Sequence, residues 1–204
     1  YNIKRAKIEN KGKMNCTISS KILAFLNANG VDTHFVEQLD ETSQICKVVE
    51  HMPFEVIVRN VIAGSMAKRL GIDEGVVPEN TIFDLCLKDE ELGDPLIYDH
   101  HAVALGVATY EERVKIYEIS ARVNKLLTEL YASVGIRLVD FKIEFGRAAD
   151  GALVLADELT PDTCRIWDAE TGECMDKDRF RRDLGRVGET YQEVAHRICN
   201  ALNK

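Results

Sequence analysis

Val139-Asp140-Phe141-Lys142-Ile143-Glu144-Phe145-Gly146, then Asp150-Gly151, then Ala152-Leu153-Val154-Leu155-Ala156-Asp157, is the most structured reading in the chain. Apolar and charged residues alternate through the first part, the period of a strand whose successive side chains point to opposite faces. A D-G step between two such runs signals a β-hairpin. The expectation is two antiparallel strands, at 137–146 and 152–159. Asp140, Lys142 and Glu144 share one face, and Val139, Phe141, Ile143 and Phe145 the other. With Asp150-Gly151 as a two-residue turn, Ala149 faces Ala152 and Glu144 faces Asp157. Opposed β-carbons lie about 5 Å apart, so these two carboxylates repel unless something positive stands between them. Lys142 is one candidate and a divalent metal is another; an all-oxygen pair suits Mg²⁺. The rival reading is a solvated sheet face with an ordinary ladder of charges.

Outward from the hairpin, the clearest helix runs from Tyr110 to Val134. Thr109 and Glu112 form a capping box at its start, Gly135 ends it, and Ile116, Ile119, Val123, Leu127 and Leu130 give it a core-facing stripe. A shorter helix is expected from Thr17 to Asn29, and an amphipathic one at 188–202. Strand-like runs lie at 33–39 and 54–62, with another near 81–87, and a short helix follows Ala63-Gly64-Ser65. Residues 72–108 read as loop-rich and 160–186 as a charged loop. Adjacent hairpins with segregated helices favour an α+β class with antiparallel sheets.

The chain has 204 residues, 46% hydrophobic and 29% charged, with a formal net charge of -8. That length can bury a full core. The acidic balance argues against a general nucleic-acid or anionic-membrane binder. No run approaches the roughly 18 apolar residues of a membrane span. Six cysteines without a C-x-x-C pair read as free thiols of a cytoplasmic protein, scattered disulfides being the alternative.

Two further constellations bear chemistry. In Glu55-Val56-Ile57-Val58-Arg59-Asn60-Val61-Ile62-Ala63-Gly64-Ser65, Glu55 and Arg59 share a strand face. Arg59 can fork onto a carboxylate or phosphate. The Gly64-Ser65 helix start is either an anion seat or an ordinary cap. Asp162-Thr163-Cys164-Arg165 and Asp176-Lys177-Asp178-Arg179-Phe180-Arg181-Arg182-Asp183 combine arginines with acids. They form either a phosphate-binding patch or a salt-bridged surface. Walker A, G-x-S-x-G, H-E-x-x-H and zinc spacings are all missing.

These constellations resemble the phosphoribosylaminoimidazole-succinocarboxamide synthase family. The resemblance rests on Met52 through Ser65 and Leu138 through Gly146. Lys68-Arg69-Leu70-Gly71, Glu91-Leu92-Gly93-Asp94-Pro95, Asp157 through Asp168 and Asp176 through Gly185 support it, so it covers nearly the whole chain in order. It implies an α+β fold of two lobes, the N-terminal one similar to the small lobe of protein kinases. Here 1–50 would be the remainder of that lobe and 51–204 the larger ribotide-binding and catalytic domain. It implies an ATP-dependent ligase of purine biosynthesis that joins carboxyaminoimidazole ribotide to L-aspartate. ADP and phosphate form, through an acyl phosphate.

The resemblance also assigns roles. Glu144 and Asp157 would hold Mg²⁺ against the ATP phosphates. Arg59, Ser65, Arg165 and Arg182 would bind the ribotide phosphate or carboxylate. Asp162 would lie near the imidazole and Lys142 beside the transferred phosphoryl group. The adenine site would fall at Lys47, Glu50 and Met52, mostly on backbone groups. A glycine-rich nucleotide loop is expected upstream of Tyr1, with Asn2 to Gly12 as the rim of its lobe. The arrangement looks like the stand-alone bacterial one, and a homo-oligomer, preferably a dimer, is implied. A non-catalytic nucleotide-binding module and a small-molecule kinase are the alternatives, which product identity would separate.

Overall fold

The computed structural model describes residues 8–203. The basic rim expected at Asn2 to Gly12 therefore lies, up to residue 7, outside the described residues. The elements in order are α1 (Lys11–Ala28), β1 (Phe35–Gln38), β2 (Gln44–Cys46), β3 (Glu50–Arg59), α2 (Gly64–Leu70), β4 (Ile82–Leu87), β5 (Leu96–Ile97), α3 (Asp99–Ala104), α4 (Tyr110–Ser133), β6 (Ile136–Arg147), β7 (Leu153–Ala156), β8 (Cys164–Asp168), α5 (Asp178–Arg181) and α6 (Val187–Leu202).

The main sheet is antiparallel throughout its pairings, in the order β5-β4-β3-β6-β7, with β8 also on β6. β1 and β2 form a separate two-stranded sheet. Strand β6 organises the molecule: β3 pairs along one edge, while β8 and β7 share the other, taking its first and second halves. One face of the sheet carries Phe54, Val56, Val58, Phe141, Ile143 and Phe145, buried in a single core with Ile116, Val123 and Leu127 of α4, Ile18, Ile22 and Leu26 of α1, and Val194 and Ile198 of α6. The other face is thus left to the polar alternates of the same strands, and the site forms there. The expected Thr109–Glu112 capping box is present, with Thr109 Oγ1 accepting from the Glu112 N–H at 3.1 Å and Glu112 Oε2 from the Thr109 N–H at 2.8 Å.

The structure differs from the sequence reading in the short elements β2, β5 and α3 and in a β7 that stops at Ala156, and at five places that bear on the site. Helix α1 begins at Lys11 rather than Thr17, because Asn10 turns left-handed (φ 58) and Met14 already packs inward. Strand β3 begins at Glu50 rather than 54, since a register shift between His51 and Glu55 accommodates Pro53, which cannot donate to the ladder. The presumed loop 160–186 contains β8 and α5. Val139 leaves the face of Phe141 at a register shift between Leu138 and Asp140, and packs instead with Val61, Ala63 and Trp167.

The fifth difference is the hairpin turn. The Ala148 N–H donates to Ala152 O at 2.9 Å and the Gly151 N–H to Ala148 O at 2.8 Å, so the loop has three residues, with Gly151 at φ 82. That is the three-residue turn in which glycine takes the left-handed position. Its consequence is that Glu144 pairs with Ala156, not Asp157. All six cysteines are free. Among the described residues no helix is long and apolar enough to cross a membrane.

Candidate active site

The polar face of the sheet is built around Asp140. Ladder register sets Asp140 opposite Arg59 on β3 and opposite Arg165 on β8. Both guanidinium groups reach it: Arg165 Nη1 at 2.5 Å and Arg59 Nη1 at 3.3 Å from Oδ2. The two arginines are anchored at their other ends, Arg59 Nε to Asp84 at 2.8 Å and Arg165 Nε to Asp178 at 2.8 Å. Arg59 is only 2% exposed. Burial raises the Asp140 pKa despite the opposing pull of Arg165 and Arg59. A cluster so interlocked cannot lose one partner cheaply, because the remaining charges stay buried.

Over this lattice lies a cavity of about 360 Å³. Its lining includes Arg59, Arg69, Lys142, Arg165, Lys177 and Arg181 against only Glu55, Asp94 and Asp140. Six cations facing three acids give the lining an excess of positive charge, the sign that suits an anion. Ser65 stands at its edge, with Arg59 Nη2 3.5 Å from its hydroxyl. The N-cap of α2 is Ala63, so Ser65 is not the cap and its hydroxyl is left to the cavity side. Gly64 (φ 58) is obligatory: a Cβ there would meet Arg165 Nη2 at 2.6 Å.

Further along β6, Lys142 donates to Glu55 Oε2 at 2.9 Å. Burial pulls the Lys142 pKa down, but Glu55, Glu144 and Asp157 more than offset it and the net shift is upward. Lys142 is therefore committed to Glu55 rather than to the Glu144–Asp157 pair, which corrects that expectation. The ammonium at Glu144 is that of Lys88, 2.5 Å from Oε1. Glu144 is 5% exposed. Burial, then the neighbouring charge of Asp157, raises its pKa against the pull of Lys88. Asp157 reaches Glu144 although it is not its ladder partner. Strand β7 ends at Ala156, and Asp157 adopts φ 66, which breaks the two-residue alternation. The face is accordingly not a solvated ladder of charges.

The remaining expected residues do not line the cavity. Asp162 is fastened to the helices by Lys11 at 2.5 Å, Asn15 Nδ2 at 2.6 Å and Tyr191 OH at 2.8 Å. Burial would raise its pKa, but those contacts prevail and lower it. Only its backbone carbonyl turns toward the site, accepting from Lys177 Nζ at 2.5 Å. Arg182 donates to both oxygens of Glu74 at 2.8 Å, and Glu74 Oε1 accepts from the Gly64 N–H at 2.8 Å. Arg179, counted in the arginine patch, is buried and bonds the carbonyls of Cys174, Leu184 and Gly185, so its role is structural. Lys47 and Glu50 are exposed, and the Met52 side chain is in the core. The residues missed from sequence are Asp84, Lys88, Glu74 and Lys177. Asp84 was legible in principle, on the polar alternate of β4, but nothing local marks Lys88 or Glu74.

Comparison with known proteins is in keeping with this geometry. A family model described as SAICAR synthetase matches residues 1–198. The phosphoribosylaminoimidazole-succinocarboxamide synthase of Fusobacterium nucleatum is 56% identical over 195 residues, 96% of this chain and 82% of that protein. The crystal structure of the synthase from Ehrlichia chaffeensis superposes with a TM-score of 0.95 at 42% identity, covering 98% of this chain and 85% of that one. A SAICAR synthetase in complex with ADP superposes with a TM-score of 0.93 at 43% identity, covering 96% and 84%.

Proposed function

The chain belongs to the SAICAR synthetase family, and on that premise we propose how its own residues divide the work. The enzyme is an ATP-dependent ligase of purine biosynthesis. It condenses 4-carboxy-5-aminoimidazole ribotide with L-aspartate, giving the succinocarboxamide, ADP and phosphate by way of an acyl phosphate. The imidazole carboxylate is a poor acyl electrophile, because it is anionic and its leaving group would be oxide. Phosphorylation supplies a leaving group, the aspartate amine attacks, and phosphate departs. Such chemistry asks the protein for position and charge rather than a covalent nucleophile.

The observation that carries the assignment of roles is the cation-lined cavity over Asp140. Arg59 and Arg165, fixed by their carboxylate partners, present guanidinium groups of set orientation to the ribotide anion, with the Ser65 hydroxyl beside them. Arg182 joins them from the rim by releasing Glu74. Lys142, held by Glu55, is positioned to neutralise the phosphoryl group in transfer. Asp162 acts on the imidazole side by orienting Lys177 through its carbonyl. Lys47, Glu50 and Met52 offer backbone groups to adenine.

Glu144 and Asp157 fit a divalent cation: two neighbouring carboxyls, one of them buried and raised in pKa, are a donor pair short of positive charge. Mg²⁺ asks for no more than one or two carboxylates when phosphates complete its shell. When bound there, it would neutralise phosphate charge as the phosphoryl group moves.

Residues 1–50 are taken as the remainder of the nucleotide lobe and 51–204 as the catalytic domain. The enzyme is assigned to the cytoplasm and to a homodimer. The deciding assay mixes the purified protein with ATP, Mg²⁺, the ribotide and L-aspartate, and follows the product by absorbance and mass. Succinocarboxamide that disappears when aspartate is withheld is the expected outcome. A stable phosphoester in its place would make the protein a kinase.

A further inference from the structure

A second cleft, of about 360 Å³, lies between α4 and the start of β6, and no residue lines both it and the anion cavity. Its floor is apolar, made by the buried side chains of Val61, Ile136 and Leu138. Thr128 and Ala132 of α4 and Ala169, just past β8, stand at its sides. Small side chains there leave the floor open to a flat group. The walls are also fixed in advance. The Ala169 N–H donates to Gly135 O at 2.9 Å, and Arg197 Nη1 reaches the carbonyls of Val134 and Gly135 at 3.3 and 3.4 Å. A ligand entering a preformed cleft is spared the cost of ordering it.

The polar groups of the lining divide sharply. Asn60 is spent on Asn124, with which it exchanges two amide hydrogen bonds of 2.8 and 2.9 Å. Thr128 Oγ1 donates to the same Asn124 at 3.4 Å. Arg137 is exposed and makes no side-chain hydrogen bond or ion pair among the described residues. An exposed arginine on a polar surface would signify nothing. This one is the only charged residue on an otherwise mostly apolar lining, and no acid there competes for it. Ligand sites have that composition, an apolar body with a few polar groups that fix orientation. A guanidinium is the group that forks onto a planar carboxylate.

We propose that this cleft binds a planar aromatic acid, its ring lying on Val61, Ile136 and Leu138 and its carboxylate held by Arg137. The site is separate from that of the ligation reaction, and a ligand of this class occupies it together with the ribotide.

The test uses the full chain with naphthoate as the probe, its binding read by fluorescence and by proton NMR. Arg137→Gln is expected to weaken binding about tenfold, the scale of one charge-assisted hydrogen bond. Ala132→Trp, which fills the cleft, should abolish it, with Thr128→Trp as a second plug should the first fail to fold. None of these residues serves the ligation reaction, so turnover at the wild-type rate shows that each variant is folded. Naphthamide, the same ring without the charge, should bind wild type and Arg137→Gln equally and weakly. Saturating ribotide should leave the naphthoate affinity unchanged. No binding to the wild type at millimolar naphthoate, binding indifferent to both Arg137→Gln and the plugs, or displacement by the ribotide overturns the proposal. It falls equally if a plug turns a larger sedimenting species into a smaller one, since the cleft is then a contact with a second copy of the chain.

Discussion

The two halves of the polar sheet face are opposite electrostatic designs. Around Asp140, four charged neighbours are interlocked: Arg59 and Arg165 each bridge it to a second carboxylate, and burial is compensated pair by pair. Around Glu144, two carboxyls are pressed together with one exposed ammonium, from Lys88, as relief. The first cluster is a finished structure whose outward surface attracts anions. The second is unfinished, and a cation would complete it. One strand, β6, carries both Asp140 and Glu144, so the same ladder sets the proposed anion cavity beside the carboxylate pair.

The contrast breaks most sharply at Asp140. Asp140→Ala leaves two buried guanidinium groups facing each other without their common partner. A loss of about 3–5 kcal/mol is expected, the cost of breaking a buried ion pair on one side. It would be measured as a lower urea midpoint at an unchanged slope, and activity should go with it. A loss below about 1 kcal/mol would mean that water or a counter-ion repairs the gap and that the lattice is not interlocked.

Glu144→Gln tests the opposite half. Removing one of two mutually repelling carboxylates should leave the metal-free protein as stable as the wild type, or more so, while activity falls on the order of a hundredfold. Stability and activity thus separate at Glu144 and fall together at Asp140. If Glu144→Gln unfolds the protein, the Lys88 contact is structural and the carboxylate pair is not poised for a cation.

Asp176 sharpens the picture within the finished half. It is fully buried, accepts from the Ile166 and Asp178 N–H groups at 2.8 Å, and burial pushes its pKa up to about 6 from an ordinary 3.8. The folded state therefore holds this proton more tightly than the unfolded one. The contribution is fully present below about pH 3.8 and is lost as pH rises through about 6. Asp176→Asn turns an amide N–H₂ toward one of the two donors and should cost about 1–3 kcal/mol. The difference in Tm between wild type and variant should shrink as pH rises from 4 toward 6 (roughly the span between the two pKa values). A difference independent of pH would show that Asp176 stays ionised in the fold.

Much of this was legible in the sequence. The alternation at 139–145 gave the strand and its charged face, and the Thr109–Glu112 box gave the start of α4 to the residue. Glu55 and Arg59 were read onto one strand face because a strand face is a local property, whereas Arg165 was joined to Arg59 and Ser65 by the family resemblance alone; all four line one cavity. What failed was non-local or depended on a single dihedral. The hairpin register turned on whether the D-G turn held two residues or three, and Asp157 falls past the end of β7 with a left-handed backbone. Strand β8 was hidden because a buried arginine reads as exposed until its two carboxylate partners are known. The fastening of the Asp162 carboxylate to α1 and α6 was equally invisible, because Asn15 and Tyr191 lie far from it in sequence.

The smallest effect marks the boundary of the lattice. Arg182 Nη2 donates to both oxygens of Glu74 outside the cavity lining, with side chains 47% and 34% exposed. Glu74 also satisfies the Gly64 N–H, so it ties the first turn of α2 to the C-cap of α5. An exposed pair of this kind is worth about 0.2–1 kcal/mol and is screened by salt, so Arg182→Ala should barely move the urea midpoint. Its effect belongs in binding: if Arg182 leaves Glu74 for the ribotide, the variant raises KM for the ribotide with little change in kcat, and added salt narrows the gap to wild type. A stability loss as large as that of Asp140→Ala would instead place Arg182 inside the interlocked cluster. The division between a rigid floor and an adjustable rim would then have to be redrawn to include it.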